Sequence, residues 1–109
     1  MENKNTQYQQ DLINSLKDPV EAAAYLNAAI EEGEKELFLL ALRNVAEAHG
    51  GMGLIAERSN LNRENLYRML SKRGNPEIKS LYCLLQAMGL KLAVEPDNQQ
   101  NTVPAGHAC

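Results

Sequence analysis

Residues 53–70, GLIAERSNLNRENLYRML, read as two short helices joined by a tight turn. Ile55, Ala56, Leu61, Leu66 and Met69 fall where such a pair needs apolar side chains, with polar and basic residues between them. Ala56 carries the most information. Where two helices cross at close range a methyl group fits, and a longer side chain forces them apart. The turn runs through Ser59, Asn60 and Leu61. Asn60 takes a position that needs left-handed backbone, which Gly adopts freely and Asn is among the few other residues to tolerate. Asn62 follows as an N-cap, its side-chain oxygen placed to accept from a free backbone N–H of the second helix. That helix starts at Arg63, with Arg63, Glu64, Tyr67 and Arg68 facing solvent and Leu66, Met69 and Leu70 facing inward. The arrangement is a helix-turn-helix with positive charge clustered along it.

The formal net charge of −3 argues at first against a nucleic-acid partner. Its distribution reverses the argument. Residues 18–57 hold eight acids against two bases, whereas residues 58–79 hold six bases, Arg58, Arg63, Arg68, Lys72, Arg73 and Lys79, against two acids. Over a Debye length of about 8–10 Å, local rather than net charge decides what a face attracts. A charge run alone is usually a solvated face; its coincidence with the helix-turn-helix points to DNA.

At 109 residues the chain has the length of one domain with a modest helical core. The hydrophobic content of 44% is that of a globular protein. No apolar run approaches the ~20 residues of a membrane span, and residues 1–10, MENKNTQYQQ, are too polar for a signal peptide. A cytoplasmic location, with no membrane contact, is the expectation. Cys83 and Cys109 lack metal-type spacing and are expected to be reduced thiols.

Taken in order, residues 1–17 have few apolar positions and read as a flexible arm, with at most a turn of helix at 11–16. Asp18-Pro19 starts a helix, an N-cap acid followed by Pro where its missing N–H is not needed. This helix runs to Glu32, with Val20, Ala23, Leu26 and Ile30 expected inward, and Gly33 stops it. Residues 34–49 are apolar over most of their circumference and form the central helix. His49 at its end meets free carbonyls and the negative end of the helix dipole. Gly50-Gly51 then reverses the chain. After Leu70 comes a loop, SKRGNP, followed by a helix from Pro76 to Met88 with Ile78, Leu81, Leu84, Leu85 and Met88 inward and Cys83 as packing. Residues 90–94, LKLAV, carry the pattern of a short β-strand. A lone strand is unstable in water and the chain offers no second one. Leu90, Leu92 and Val94 are therefore expected to pair with their own copy in a symmetric homodimer. Residues 97–109 read as a disordered tail, and His107 with Cys109 is too thin a set for a metal site.

Two runs, DPVEAAAYLNAAIEEGEKELFLLALRNVAEAHG and IAERSNLNRENLYRMLSKRGNPEIKSLYCLLQAMGLKLAV, resemble the addiction-module antidote proteins. These are small antitoxins with a λ-repressor-like helix-turn-helix of the Xre type. The likeness covers residues 18–96 and is most specific in AAAYLNAAI, in the helix opening at Arg63, in Gly74-Asn75-Pro76 and in Met88-Gly89-Leu90. It implies an all-α, five-helix λ-repressor-like domain, plus the strand. It further implies a type II antitoxin that binds a RelE-like toxin and represses its own operon as a dimer on a palindromic operator. Two departures stand out. Many relatives begin the first helix of the pair with polar side chains that hold a phosphate, whereas this chain has Gly53 and Leu54, leaving backbone N–H groups for that contact. The turn carries Asn60 where the family has Gly.

A second helix lying in the major groove presents its N-terminal residues to base edges. Asn62 and Arg63 are then the base-reading candidates, with Tyr67 and Arg68 along the groove wall. Arg58, Lys72 and Arg73 are suited to phosphates, and Asn75 belongs to the same loop. Glu64 can accept from a cytosine amino group or favour the positive end of its helix. No nucleophile–base pair, phosphate loop or metal spacing is found, so neither enzyme activity nor a cofactor is expected. The alternative is a stand-alone Xre-type regulator without a toxin. The acidic first half either steers a basic toxin or keeps the surface solvated, and the residues do not rank the two.

Overall fold

The computed structural model describes residues 4–97, and the side chains of 6–97. It contains six helices: α1 Lys4–Ser15, α2 Pro19–Glu32, α3 Lys35–Ala48, α4 Met52–Ser59, α5 Arg63–Met69 and α6 Ile78–Ala87. There is no strand among the described residues. The helix α3 is the axis: α2 packs along it, α1 crosses it, and α4 follows from its end to pack on α5 and α6.

Local chemistry explains the boundaries. The Asp18 carboxylate accepts from the Val20 N–H at 2.9 Å, Pro19 opens α2, and Gly33 ends it in left-handed backbone with φ 77°. The apolar circumference of α3 buries Leu39, Ala41, Leu42, Val45, Ala46 and Ala48. These join Leu16, Leu26, Ile55, Leu66, Leu70, Leu84 and Met88 in one continuous core. Fully burying a leucine or isoleucine contributes about 1.5–3 kcal/mol, so the seam through α3 outweighs any single cap.

Four expectations need correction. The first 17 residues are not a bare arm, because residues 4–15 form α1, which raises the helix count from five to six. Leu16 just beyond it is 1% exposed. The docking is partly polar and long-range. Asn44, 8% exposed in α3, receives a hydrogen bond from Gln9 Nε2 at 3.2 Å and donates to the Tyr25 hydroxyl at 2.8 Å. The His49 Nε2 lies 3.0 Å from the Leu16 carbonyl, so this imidazole serves the end of α1 rather than only its own helix. Periodicity cannot register such links, since each joins polar atoms 19–35 positions apart in sequence.

In α2 the packed face runs through Ala22, Tyr25, Leu26 and Ala29, while Val20 and Ile30 are exposed. The alanines let α2 lie close to α3 and bring Tyr25 to Asn44. In α6, Ile78 is exposed at the first position, and only from Leu81 onward does the helix lie over the core. Finally, residues 90–97 form no strand. Among the described residues no second strand lies beside them to complete a ladder. Leu90 belongs to the monomer: its N–H closes α6 on the Leu85 carbonyl at 2.8 Å, after Gly89 with φ 76°, and its side chain packs on the core. The following residues run across α2 and wall a groove with Ala23, Leu26, Ile30 and Phe38. Residues 98–109, most of the expected tail, including His107 and Cys109, lie outside the described residues.

Two stability predictions follow from these contacts. Asn44→Ala removes both hydrogen bonds at a buried site, a loss of about 1–3 kcal/mol. The melting temperature should fall by roughly 5–15 °C in a circular-dichroism melt, and by less in Tyr25→Phe, which breaks one bond. A wild-type melt for Asn44→Ala contradicts the coupling of the three helices. Gly74 is buried, and a Cβ there would fall onto the Met69 carbonyl at the end of α5. Gly74→Ala should therefore destabilise by about 1–3 kcal/mol through overpacking, against the usual gain from replacing a glycine where the backbone allows it.

Candidate nucleic-acid interface

The candidate surface is built on α4 and α5. Ala56 is 3% exposed at the crossing, between Ile55 and Ser59, whose hydroxyl donates to the Ala56 carbonyl at 3.2 Å. Asn60 takes left-handed backbone, φ 63°, and is the one non-glycine with positive φ among the described residues. The chain then turns: the Leu61 N–H reaches the Ala56 carbonyl at 2.9 Å and the Leu61 side chain packs on the core. Asn62 caps α5, its Oδ1 accepting from the N–H groups of Glu64 at 2.8 Å and Asn65 at 3.2 Å. Leu66 and Leu70, both fully buried, anchor α5 from beneath.

This anchoring leaves Arg63, Glu64, Tyr67 and Arg68 exposed on one short helix. Arg63 is ordered by its surroundings. Its guanidinium carbon lies 5.7 Å from the centre of the Tyr67 ring, within cation–π range. A Cβ at Gly53 would lie 3.7 Å from the same carbon, so the guanidinium passes close to the second residue of α4. Arg68 is held in turn by Asn65, its Nη1 donating to Oδ1 at 3.3 Å. Asn65 was not among the sequence candidates; its i, i+3 spacing to Arg68 was the available signal. Asn62 has committed its side-chain oxygen to the cap, which leaves its amide N–H groups for any further contact. Glu64 occupies the first turn of α5, where its charge suits the helix dipole.

Arg58 is exposed in the last turn of α4, and Lys72, Arg73 and Asn75 are exposed in the loop after α5. Lys72 differs from its neighbours in facing a groove that it shares with Glu34, Lys35, Glu36, Leu37, Leu40 and Arg43. It stands where the basic edge meets the acidic start of α3, so Glu34 and Glu36 offset part of its field within a Debye length. Leu92 and Val94 are exposed on the segment crossing α2, Val94 almost completely. Among the described residues, no helix is long and apolar enough to cross a membrane.

The sequence also matches known proteins. A family described as "Probable addiction module antidote protein" matches residues 6–96, and so includes α1. A protein of Haemophilus influenzae, described as an uncharacterized protein, is 34% identical over 85 residues, covering 78% of this chain and 87% of its own length. No solved structure matches the chain. A match spanning most of α1, the other five helices and both sides of the turn covers nearly the whole described chain, and the chain belongs to the addiction-module antidote family.

Proposed function

We propose that the chain is the antitoxin of a type II toxin–antitoxin module, with two activities. It neutralises a RelE-like toxin by direct binding, and it represses its own operon by reading a palindromic operator with α5, as an Xre-type helix-turn-helix protein does. Family membership supports the first activity, since an addiction-module antidote has a toxin to oppose. The single observation that carries the second is the exposed Arg63, Tyr67 and Arg68 set on a helix whose orientation is held by the Asn60 turn and the Asn62 cap. In the major groove the first of these faces base edges, while Arg58 and Arg73 lie toward phosphates. Both partners belong in the cytoplasm.

A homodimer completes this reading. Leu92 and Val94 expose apolar surface beside Ile30 of α2, on a segment that no strand among the described residues pairs with. A second copy packed there about a dyad would cover the three side chains and set two α5 helices about 34 Å apart, one turn of DNA.

Filter binding to the promoter of the chain's own operon at several salt concentrations tests the DNA activity. Arg63→Ala should lose about 1–3 kcal/mol at the specific site and relax base preference there. Arg73→Ala should weaken all sequences alike and flatten the salt slope by about 1. If both variants bind as wild type does, α5 is not the recognition helix. For the dimer, light scattering on Leu92→Asp/Val94→Asp should give a monomer with an unchanged far-ultraviolet spectrum, against a wild-type dimer. A variant that remains dimeric places the interface elsewhere.

A further inference from the structure

We infer that Tyr67 is a positioning residue for Arg63, holding its guanidinium ready to read a guanine in each half of the operator. This inference rests on the DNA-reading function proposed above and refines the part that each residue plays. Tyr67 acts through Arg63 rather than as a groove-wall contact of its own.

The geometry comes from two directions. Arg63 is the first residue of α5 and Tyr67 lies four positions on, so both side chains rise from the same face of the helix. The guanidinium carbon sits 5.7 Å from the ring centre, and the ring is 47% exposed, so it serves as a platform rather than as core. Near the guanidinium is also Gly53, the second residue of α4, which has no side chain. Distances of 3.7–3.8 Å from a built Gly53 Cβ to Cζ, Nε and Nη1 of Arg63 mean that a methyl would still fit in ordinary contact. Arg63 thus lies close to the backbone of α4 at Gly53, and the Tyr67 ring keeps it there.

Pre-ordering matters because an arginine carries large rotamer freedom, which it must give up when its planar fork meets two acceptors. A guanine is the base that offers two acceptors, O6 and N7, on its major-groove edge. An arginine already held against the Tyr67 ring loses less on binding. It also leaves fewer alternative poses in which a wrong base can be accommodated.

The test measures wild type, Arg63→Ala, Tyr67→Leu, Tyr67→Phe and the Arg63→Ala/Tyr67→Leu pair on the chain's own promoter, with each guanine of the half-site replaced in turn. Tyr67 is exposed, so all variants should fold, and a circular-dichroism melt checks this. Tyr67→Leu should weaken binding about two- to fivefold and reduce discrimination at the same guanine that Arg63→Ala affects, while Tyr67→Phe keeps both. In the Arg63→Ala background, Tyr67→Leu should have no further effect. Equal losses in the two backgrounds, or a wild-type Tyr67→Leu, overturn the positioning role alone. A wild-type chain that ignores its own promoter overturns the DNA-reading function as well, so the two failures are distinct.

Discussion

The domain depends on the burial of two helices too short to stand alone. Isolated helices need on the order of 12–15 residues to be even marginal in water, and α4 and α5 have 8 and 7. Their existence and mutual angle come from Ile55, Ala56, Leu66 and Leu70, which are pressed into a core that α3 and α6 supply. Between them the chain has little freedom. Ala56 sets the approach, Asn60 supplies the one left-handed residue, and Asn62 satisfies two backbone donors at once. A rigid frame of this kind lets the exposed side chains of a seven-residue helix hold fixed positions.

The same frame distributes charge unevenly. Asp18, Glu21, Glu31, Glu32, Glu34 and Glu36 gather on α2 and the start of α3, whereas Arg58, Arg63, Arg68, Lys72 and Arg73 gather on α4, α5 and the loop after them. Lys72 sits on the border, in a groove with Glu34 and Glu36. A protein with this layout offers distinct faces to a polyanion and to a second protein. That suits an antidote whose family name requires a toxin partner and whose α5 exposes Arg63, Tyr67 and Arg68.

Much of this was legible in the sequence because the relevant signals are local. Asp18-Pro19, Gly33, Asn60 and Asn62 act within three or four residues of themselves, and the structure has each in its expected role. The helix α1 was missed because few apolar residues mark it and its docking relies on Gln9 and Leu16 meeting Asn44 and His49 of α3 and its end. In α2, spacing alone favoured Val20 and Ile30 as core. Small alanines and a tyrosine won, because close approach to α3 gains more than bulk at those positions. The alternation of residues 90–92 was real, but an extended segment becomes a strand only beside another. At the site, the basic residues could be named from composition and position. The approach of Arg63 to Gly53 could not, since it depends on how α4 and α5 pack.

Hydroxyl-radical footprinting of the chain's own promoter tests the central claim most directly. An operator-reading dimer predicts two protected stretches on one face of the duplex, centred about 34 Å apart within an inverted repeat, and their loss with Arg63→Ala. No protection, or a single protected stretch indifferent to Arg63, contradicts the account.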